Sequence, residues 1–500
     1  MSKFNNGTKG KNKVFNLAGG RAYSINDDKV KLVTMVLTTF FNEKKYYGDN
    51  SDEIVEQIHR VAEVDPYFVA ALAVYARKVF HLRSVSHVLV AELANVAKGN
   101  PIVRKAVSEV VQRADDITEI MAYYLGKYGK PIPNSIKKGL ADAFKRFDEY
   151  GLAKYNRQQE VTLKDVLCLV RPTPINQEQS DLWKRLIEDR LETPKTWETQ
   201  LSTRGNNKEV WEELIAENRL GYMAGLRNLR NIIQSGAENI HILLNKLRDP
   251  EEVRKSKQLP FRFLAAYREL REIEPLTSVN PFIVQQAIDA VAKALEISAE
   301  NLPYLKGKTF FVSDVSGSMR TPLSNRSKIQ MVDVATLLMA MAHKFCEKSI
   351  TSVFAEDFAI IPVSKTDSVL TNQYKFMSAR VGYATYLHKP LKWLLDNKVN
   401  VDRIVVFSDM QAYTEKVYYG WGYSRSEVQE TPQKIIEQYR KEVNPNVFVH
   451  SVDLAGYGTV QFIGKNTNLI GGWSERVLQF IQLAEEGMDT LVKEIESYKW

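Results

Sequence analysis

The sequence predicts a mainly α-helical chain that is followed by a C-terminal α/β domain. The chain has 500 residues, which is more than one hydrophobic core usually holds, because single cores stop growing near about 250–300 residues. Apolar residues recur at helical spacing from about residue 23 to residue 297. From about Asn301, strand-like segments alternate with helical ones. We therefore predict a basic, flexible N-terminus at 1–16, a helical domain at 17–300 and an α/β domain at 301–500.

The helical half is organised in pairs of helices. Residues 54–62 place apolar side chains on one helix face, and Pro66 and Pro101 each follow an Asp or Asn at a helix start. Pro133 precedes a further start, so the starts lie about 32 to 35 residues apart, the spacing of repeats that bury a core by stacking. Further helices are predicted at Ser84–Lys98, Pro101–Arg113, Ile117–Tyr128 and Ser135–Phe147.

The second half has the pattern of a parallel sheet covered by helices on both faces. A buried strand, Thr309–Met319, is followed by strand-like segments SITSVFA, FAIIPV, DRIVVFSD and NVFVHSVDL. The helical segments are KIQMVDVATLLMAMAHKFCEK, TYLHKPLKWLLDNK, TPQKIIEQYRKEV and SERVLQFIQLAEEG. Such folds bind ligands at the carboxyl ends of their strands.

Oxygen-bearing side chains stand at these strand ends. Asp314, Ser316 and Ser318 leave the first strand on a tight turn, Thr385 lies in a loop before a helix, and Asp409 ends the strand VVFSD. One or two carboxylates with several hydroxyls suit a hard cation, and the small number of carboxylates favours Mg²⁺ over Ca²⁺. We therefore predict a divalent metal site made by these five residues.

Rival interpretations of the turn can be compared by its sequence. A haloacid-dehalogenase-type phosphatase needs a second Asp where Ser316 stands, and a serine-hydrolase elbow needs Gly where Asp314 stands. The remaining alternative is that the turn only caps the following helix. The whole pattern resembles a metal-ion-dependent adhesion site in a von Willebrand factor A-type domain over residues 305–490. That family usually has an adjacent Gly-Thr pair, whereas Gly382 and Thr385 are separated here.

Charge and composition limit the partners and the compartment. The net charge of +8 lies mostly in residues 1–300 and suggests an anionic partner without identifying it. Cys168 and Cys346 lie in helical-looking contexts far apart, and neither CxxC nor HExxH occurs, which argues against disulfides and a structural zinc site. We expect a cytoplasmic protein, because no signal-peptide core and no apolar run of about 20 residues occurs.

Basic residues are concentrated between residues 137 and 171. Phosphate contacts supply most sequence-independent affinity for RNA, and aromatic rings can stack unpaired bases. A solvated helix face is the alternative interpretation, and Phe144 and Phe147 also fit a core position. The basic residues of the run are Lys137, Lys138, Lys145, Arg146, Lys154, Arg157, Lys164 and Arg171, interleaved with Phe144, Phe147, Tyr150 and Tyr155.

Seven segments follow one another in a distinctive order along the chain. They are AGGRAYSINDDKVKLVTMVLTTFFNEKKYY, ARKVFHLRSVSHVLVAELA, PIPNSIKKGLADAFKRFDEYGLAKYNRQQEVTLKDVLCLVRPTP, TWETQLS, LGYMAGLRNLRNI, LPFRFLAAY and VFSDMQ. In this order they resemble the Ro autoantigen family, in which a TROVE module of helical repeats precedes a von Willebrand A-type domain. The resemblance covers residues 17–490 and fits a bacterial or phage-type member.

The resemblance implies a ring of HEAT-like repeats around a positively charged hole. Members of the family bind small structured Y RNAs on the outer surface and single-stranded 3′ ends of misfolded RNAs in the hole. This implies an outer site that includes Lys154, Arg157, Lys164 and Arg171. The family often has His where Arg171 stands, so this chain keeps a phosphate donor there but loses imidazole stacking.

Other residues are ambiguous from sequence alone. Arg227 and Arg230 fit RNA contacts, although Asn228 and Asn231 beside them also fit hydrogen bonds between repeats. His81 and Arg83 could line the ring, with a structural role favoured for His81. The aromatic loop Tyr418–Ser426 could be an interaction patch or a plug near the metal site.

Two functional hypotheses follow from these patterns. The first is a non-enzymatic RNA-binding protein that scaffolds a Y-like noncoding RNA and captures RNA 3′ ends, with no membrane association and no DNA specificity. The second is a Mg²⁺-dependent protein-interaction module that tethers a nuclease, which in bacterial members can be polynucleotide phosphorylase. A hydrolase that uses the same cation is a weaker third possibility.

Overall fold

The computed structural model describes residues 14–15, 21–22, 28–38, 51–258, 260–275, 278–300, 302–323, 328–410, 431–454, 462, 466–471, 476–486 and 488–500. Two compact units divide the chain. The N-terminal unit comprises 27–203 with 489–500, and the C-terminal unit comprises 204–488 with 1–26. Among the described helices, none is long and apolar enough to cross a membrane. The predicted ring of residues 17–300 stays a prediction, as do the predicted domain limits.

All regular secondary structure in the described part of the N-terminal unit is helical. Its helices are α1 Asp28–Thr38, α2 Ser51–Val64, α3 Pro66–Lys78, α4 Ser84–Val96, α5 Pro101–Val110, α6 Ala114–Tyr128, α7 Asn134–Phe144, α8 Glu149–Tyr155, α9 Leu163–Val170 and α10 Gln177–Ile187. Helix α11, Trp197–Arg204, and helix α23, Met488–Ser497, lie at the limits of the unit. The helices predicted from sequence between residues 84 and 147 are confirmed, with ends shifted by up to three residues.

Proline and an acceptor side chain define two of the predicted helix starts. Asp65 accepts a hydrogen bond from the Phe68 N–H at 3.0 Å, and Asn100 accepts one from the Ile102 N–H at 3.0 Å. Pro66 and Pro101 occupy the first helical positions, where the missing N–H costs no intrahelical bond. Gly139 allows α7 to lie close to α5, since a Cβ at this position would stand 2.7 Å from the Arg104 carbonyl oxygen.

The C-terminal unit begins with helices and continues into a six-stranded sheet. The helices before the sheet are α12 Lys208–Ala216, α13 Tyr222–Gln234, α14 Ile240–Leu247, α15 Pro250–Ser256, α16 Pro260–Ile273 and α17 Pro281–Ala299. A two-stranded antiparallel ribbon, β1 Val14–Phe15 and β2 Arg21–Ala22, also belongs to this unit.

The sheet has the strand order β5-β4-β3-β6-β7-β8 and is parallel except for the edge strand β5. Its strands are β3 Leu305–Asp314, β4 Cys346–Phe354, β5 Phe358–Ile360, β6 Arg403–Ser408, β7 Phe448–Asp453 and β8 Thr467–Gly471. The helices are α18 Met331–Lys344, α19 Val369–Met377, α20 His388–Asp396, α21 Pro432–Glu442 and α22 Arg476–Glu486. The order reverses between β3 and β6, which makes their carboxyl ends the switch point where such folds bind ligands.

The main core of the sheet forms between β3, β6 and two helices. Its buried members include Phe310, Val312, Ile404, Val406, Leu391, Leu394, Ile435 and Tyr439. The near-continuous apolar sequence of these strands is explained by their burial on both faces.

One predicted helix boundary is wrong. The helix was expected to run through Cys346, but α18 ends at Lys344 and Cys346 begins β4. No Gly or Pro separates the two elements, so the apolar pattern continues across the boundary, and Cys346 pairs in register with Leu305. Cys168 lies on α9 as expected, and both cysteines are free thiols.

Candidate metal centre and nucleic-acid interface

The carboxylate of Asp314 lies fully buried at the end of the central strand β3. Its Oδ2 accepts a hydrogen bond from the Ser408 hydroxyl at 2.7 Å, and its Oδ1 accepts one from the Ser316 N–H at 2.9 Å. Burial and, next, the charge of nearby Asp409 raise the pKa of Asp314 to about 7. Asp409 follows β6 directly and is also buried, so the two predicted carboxylates meet at the switch point.

The hydroxyls of Ser316 and Ser318 lie beside each other, with their Oγ atoms 3.3 Å apart. Ser316 is buried, whereas Ser318 is exposed at the start of a short 3₁₀ helix, Ser318–Arg320. The turn therefore leads from an interior carboxylate to a hydroxyl that solvent or a ligand can reach.

The loop that carries Thr385 is joined to this turn in spite of its unusual sequence. The Gly317 N–H donates to the Tyr383 carbonyl at 3.0 Å, and the Tyr386 N–H donates to the Ala355 carbonyl at 2.9 Å. Thr385 lies in the chain between Tyr383 and Tyr386, and its side chain is buried. Gly382 has a φ of +83°, and a Cβ there would lie 2.6 Å from the Glu356 Cβ, so glycine is required where the loop bends.

These donors fit a hard divalent cation. Two buried carboxylates close together are unfavourable without a compensating positive charge, and hydroxyl and carboxylate oxygens are ligands that Mg²⁺ accepts. No group of three or more His, Cys, Asp or Glu side chains that could hold a metal ion forms among the described residues. A metal at this position would therefore depend on the hydroxyls as well as the carboxylates. The aromatic loop Tyr418–Ser426 lies outside the described residues.

Sequence reasoning missed two residues of this site. Ser408 holds Asp314 and also accepts a hydrogen bond from the Met410 N–H at 3.0 Å. Tyr383 stands over Gly317 with 76% of its side chain exposed, at the rim of the site. The sequence contained one signal for Ser408, since a serine directly before Asp409 ends the strand that neighbours Asp314.

The predicted RNA-binding residues divide into paired and unpaired groups. Arg146 donates to the Ser108 hydroxyl at 2.7 Å and to the Ser108 and Val111 carbonyls at 2.6 and 2.8 Å. Lys164 forms an ion pair with Asp189 at 2.9 Å, and Arg230 forms one with Glu269 at 2.6 Å. The contacts of Arg146 favour a structural role, because they join the end of α7 to α5.

The other seven basic residues form no ion pair with any described residue. Lys138, Arg157, Arg171 and Arg227 are exposed, while Lys137, Lys145 and Lys154 are half-buried. Arg171 has a φ of 44° and ends α9 in the left-handed conformation, which turns the chain sharply at this exposed cation. These residues keep their charge available for an anionic ligand.

The aromatic residues of the basic run have different environments. Phe144 is fully buried in the core, as its helical spacing suggested, whereas 54% of Tyr150 is exposed. The Lys154 ammonium lies 5.6 Å from the ring centroids of both Tyr150 and Tyr155. Arg113, which sequence reasoning missed, covers Tyr155 with its guanidinium carbon 4.5 Å from the ring centroid.

The structure also places three other residues that were ambiguous from sequence. Asn228 donates to the Ala224 carbonyl of its own helix at 2.9 Å, so it does not join two repeats through this bond. Arg83 donates to Asp116 at 2.6 Å and also pairs with Asp115 at 2.8 Å. These ion pairs favour a structural role for Arg83. His81 is exposed with a φ of 55°.

Family models match most of the chain. The TROVE domain model matches residues 24–189 and 184–298, and the Ro60 vWA domain model matches residues 308–446. The chain belongs to the Ro family of TROVE-domain proteins. The metal-site turn and strand β6, which Asp409 follows, lie within its vWA match, and the basic run lies within its first TROVE match.

Two curated relatives match only parts of this chain. Telomerase protein component 1 of Rattus norvegicus is 26% identical over 340 residues, which are 50% of this chain and 13% of the rat protein. RNA-binding protein RO60 of Deinococcus radiodurans is 22% identical over 218 residues, 42% of this chain and 40% of that protein. The matches thus span less than half the length of either relative.

The Ro fold extends over nearly the whole chain. The crystal structure of the Deinococcus radiodurans RO (RSR) protein matches with a TM-score of 0.68 and 15% identity, covering 92% of this chain and 100% of that one. This likeness supports the fold alone. It agrees with the predicted class, a mainly helical chain with a C-terminal α/β domain.

Proposed function

We propose that this protein binds RNA as a component of a ribonucleoprotein and does so without cleaving it. The observation that carries the proposal is the group of unpaired cations around α7, α8 and α9, above all Lys138, Lys154, Arg157 and Arg171. Cations without carboxylate partners are available to phosphates, and each phosphate contact adds affinity that salt weakens. The printed name of the Deinococcus relative, an RNA-binding protein, agrees with this proposal.

The finer proposal assigns two RNA ligands to two surfaces. The unpaired cations of the basic run hold a structured, Y-like noncoding RNA, while single-stranded 3′ ends of misfolded RNAs bind elsewhere, in the hole of the ring. The separation is supported by the concentration of unpaired cations in one short stretch of the N-terminal unit. We also propose a cytoplasmic localisation, which the two free thiols support.

The test compares two RNAs with one double variant of the full chain. Fluorescence anisotropy measures the affinity for a Y-like stem-loop RNA and for a single-stranded RNA with a free 3′ end, between about 50 and 200 mM salt. The double variant Lys154→Ala with Arg171→Ala should lower affinity for the stem-loop RNA more than affinity for the single strand. It should also reduce the salt dependence of stem-loop binding. Lys306→Ala with Lys441→Ala, two exposed lysines of the α/β domain, is the charge-matched control. Equal loss for both RNAs would contradict the two-site assignment.

A second function is supported by the metal centre. We propose that Asp314, Ser316, Ser318, Thr385 and Asp409 hold Mg²⁺, with exposed Ser318 and Tyr383 at the mouth of the site for a partner's carboxylate. When bound, the cation would supply a Lewis-acidic attachment point for that carboxylate. A 3′–5′ exoribonuclease such as polynucleotide phosphorylase is the kind of partner that would connect the two functions.

The two functions can be separated by one substitution. Asp314→Ala should abolish divalent-cation binding in isothermal titration calorimetry and leave RNA affinity unchanged. Loss of RNA binding in a variant that keeps its circular-dichroism spectrum would show that the two functions are not divided between the domains. Phosphoester turnover by the purified protein would instead support the hydrolase alternative.

A further inference from the structure

One aromatic ring in the basic run remains open to a ligand. Phe144 is buried, Phe147 is half-buried, and Tyr155 is half-buried beneath Arg113, whereas Tyr150 exposes 54% of its side chain on α8. A large apolar ring left in water loses the free energy that burial would provide. Covering the exposed Tyr150 ring with a ligand would recover this free energy.

The charges around Tyr150 are arranged for an anion. Lys154 lies one helical turn after Tyr150, with its ammonium 5.6 Å from the Tyr150 centroid, and it forms no ion pair with a described residue. Arg113 is different, because it makes bidentate hydrogen bonds to Asp115 at 2.9 and 2.7 Å. Exposed Arg157 follows the same helix, also without an acidic partner among the described residues. The ring thus has one available cation beside it, Lys154, and Arg157 is a second available cation seven residues after Tyr150 along the chain.

We propose that Tyr150 and Lys154 form a binding site for an unpaired nucleotide of the RNA. The base stacks on the Tyr150 ring, and the adjoining phosphate pairs with the Lys154 ammonium. The inference rests on the proposed RNA binding and sharpens it, because a base can reach the ring only when it is not stacked within a duplex. The site therefore selects loops or bulges of a structured RNA over continuous duplex.

The ligand chemistry is chosen from the combination of ring and cations. Aromatic stacking tolerates every base, since each has a π-face, while the phosphate requires a cation nearby. An acidic protein segment would satisfy Lys154 and Arg157, but its carboxylates offer no extended π-face for the ring. A nucleotide satisfies both, so we assign the site to RNA and treat an acidic peptide as an outcome that would overturn the assignment.

The test uses full-length protein and two RNAs of equal length. One is a hairpin with 2-aminopurine in its single-stranded loop, and the other is a fully paired duplex. Tyr150→Leu should lower affinity for the loop RNA about 5- to 150-fold, the range expected for one stacked base, and should abolish quenching of the probe. Affinity for the duplex should stay within about twofold, because phosphate contacts alone hold it.

Two variants serve as controls. Tyr150→Phe retains the ring and should restore affinity and quenching. Tyr374→Leu removes another exposed tyrosine, on α19 of the α/β domain, and should change neither. Because Tyr150 is largely exposed, melting temperatures of all variants should match that of the unmodified protein.

The outcomes separate this inference from the proposal on which it rests. If the unmodified protein binds neither RNA, the proposed function fails. Alternatively, the unmodified protein binds both RNAs with an affinity that falls as salt rises. If Tyr150→Leu then lowers the affinity for both RNAs equally, or for neither, only the stacking site is wrong. Competition by a poly-glutamate peptide that depends on Tyr150 would also overturn the assignment to a nucleotide.

Discussion

The Ser408 hydroxyl donates a 2.7 Å hydrogen bond to Oδ2 of Asp314 and so joins strand β6 to the buried carboxylate of strand β3. The same Ser408 oxygen accepts the Met410 N–H at 3.0 Å, which fixes the hydroxyl's orientation. Met410 has a φ of 58°, a conformation that a non-glycine side chain rarely adopts. The backbone after Asp409 is thus bent so that Ser408 can serve both partners.

Ser408→Ala should weaken Mg²⁺ binding about 10- to 100-fold, because residues that orient a ligand affect metal affinity by about this factor. Isothermal titration calorimetry with Mg²⁺ measures the change. Ser408→Thr keeps the hydroxyl and should recover most of the affinity. Ser352→Ala on β4 is the matched control, since the buried Ser352 hydroxyl has no hydrogen-bond partner in the described structure. Unchanged affinity in Ser408→Ala would show that Asp314 is positioned without this bond.

Arg146→Ala should lower the free energy of unfolding by about 1–3 kcal/mol, since it leaves the Ser108 and Val111 acceptors without their charged donor. Lys138→Ala removes one exposed cation from the same run. It should change the free energy of unfolding by no more than about 0.5 kcal/mol. Urea denaturation followed by circular dichroism checks both values. An Arg146 variant as stable as the Lys138 variant would return Arg146 to the group of RNA contacts.

The contrast between Arg146 and Lys138 explains what sequence could not predict. Both are basic residues of one run, but the Ser108 partner of Arg146 is 38 residues away and becomes visible only when α7 packs on α5. The metal residues were predictable for the opposite reason. Asp314 and Asp409 each end a strand, and a parallel sheet brings those ends to one edge whatever the intervening loops do.

Two short elements of the sheet domain were also missed. Strand β8 has the sequence TNLIG, in which two polar residues and a glycine obscure the strand pattern, and α19 mixes polar and apolar residues over nine positions. Both form through tertiary contacts. Val449 N–H donates to the Asn466 carbonyl at 2.8 Å beside β8, and the side chain of Gln373 on α19 donates to the Asp333 carbonyl at 2.9 Å.

Arg268→Met should destabilise the C-terminal unit by about 1–3 kcal/mol, because it leaves the buried Asp333 carboxylate without its half-buried charged donor. Arg268 on α16 makes bidentate hydrogen bonds to the buried carboxylate of Asp333, which also accepts the Gln330 N–H at 2.8 Å at the start of α18. Differential scanning calorimetry of the full chain measures the loss.

A double variant that removes both charges is the control for this ion pair. The double variant Arg268→Met with Asp333→Asn removes both charges and should recover a large part of the lost stability. Arg271→Met, on the same helix but pairing with Glu274 at the surface, should cost less than about 1 kcal/mol. Equal losses from Arg268→Met and Arg271→Met would show that the link between α16 and α18 contributes little.

Glu92→Gln should destabilise the N-terminal unit at neutral pH and remove part of its acid sensitivity. The buried Glu92 carboxylate on α4 accepts from the Tyr123 hydroxyl at 2.5 Å and from the Tyr128 hydroxyl, and it lies 2.6 Å from His59 Nε2 and 3.1 Å from Lys127 Nζ. Burial opposes the charge, but the hydrogen bonds from Tyr123, Tyr128 and His59 and the charge of Lys127 together lower the pKa of Glu92 below its ordinary value of 4.5.

A carboxyl group whose pKa is lowered by folding stabilises the protein above its unfolded pKa, and this stability disappears as the pH falls through the folded value. The stability difference between the unmodified protein and Glu92→Gln should therefore be about 1–3 kcal/mol at neutral pH and should shrink below about pH 4.5. Urea denaturation at a series of pH values measures it, with exposed Glu160→Gln as the control. Protonation of Glu92 removes the negative charge that its four neighbouring donors stabilise. A stability difference that stays constant into acid would therefore mean that the charge of Glu92 does not contribute to stability.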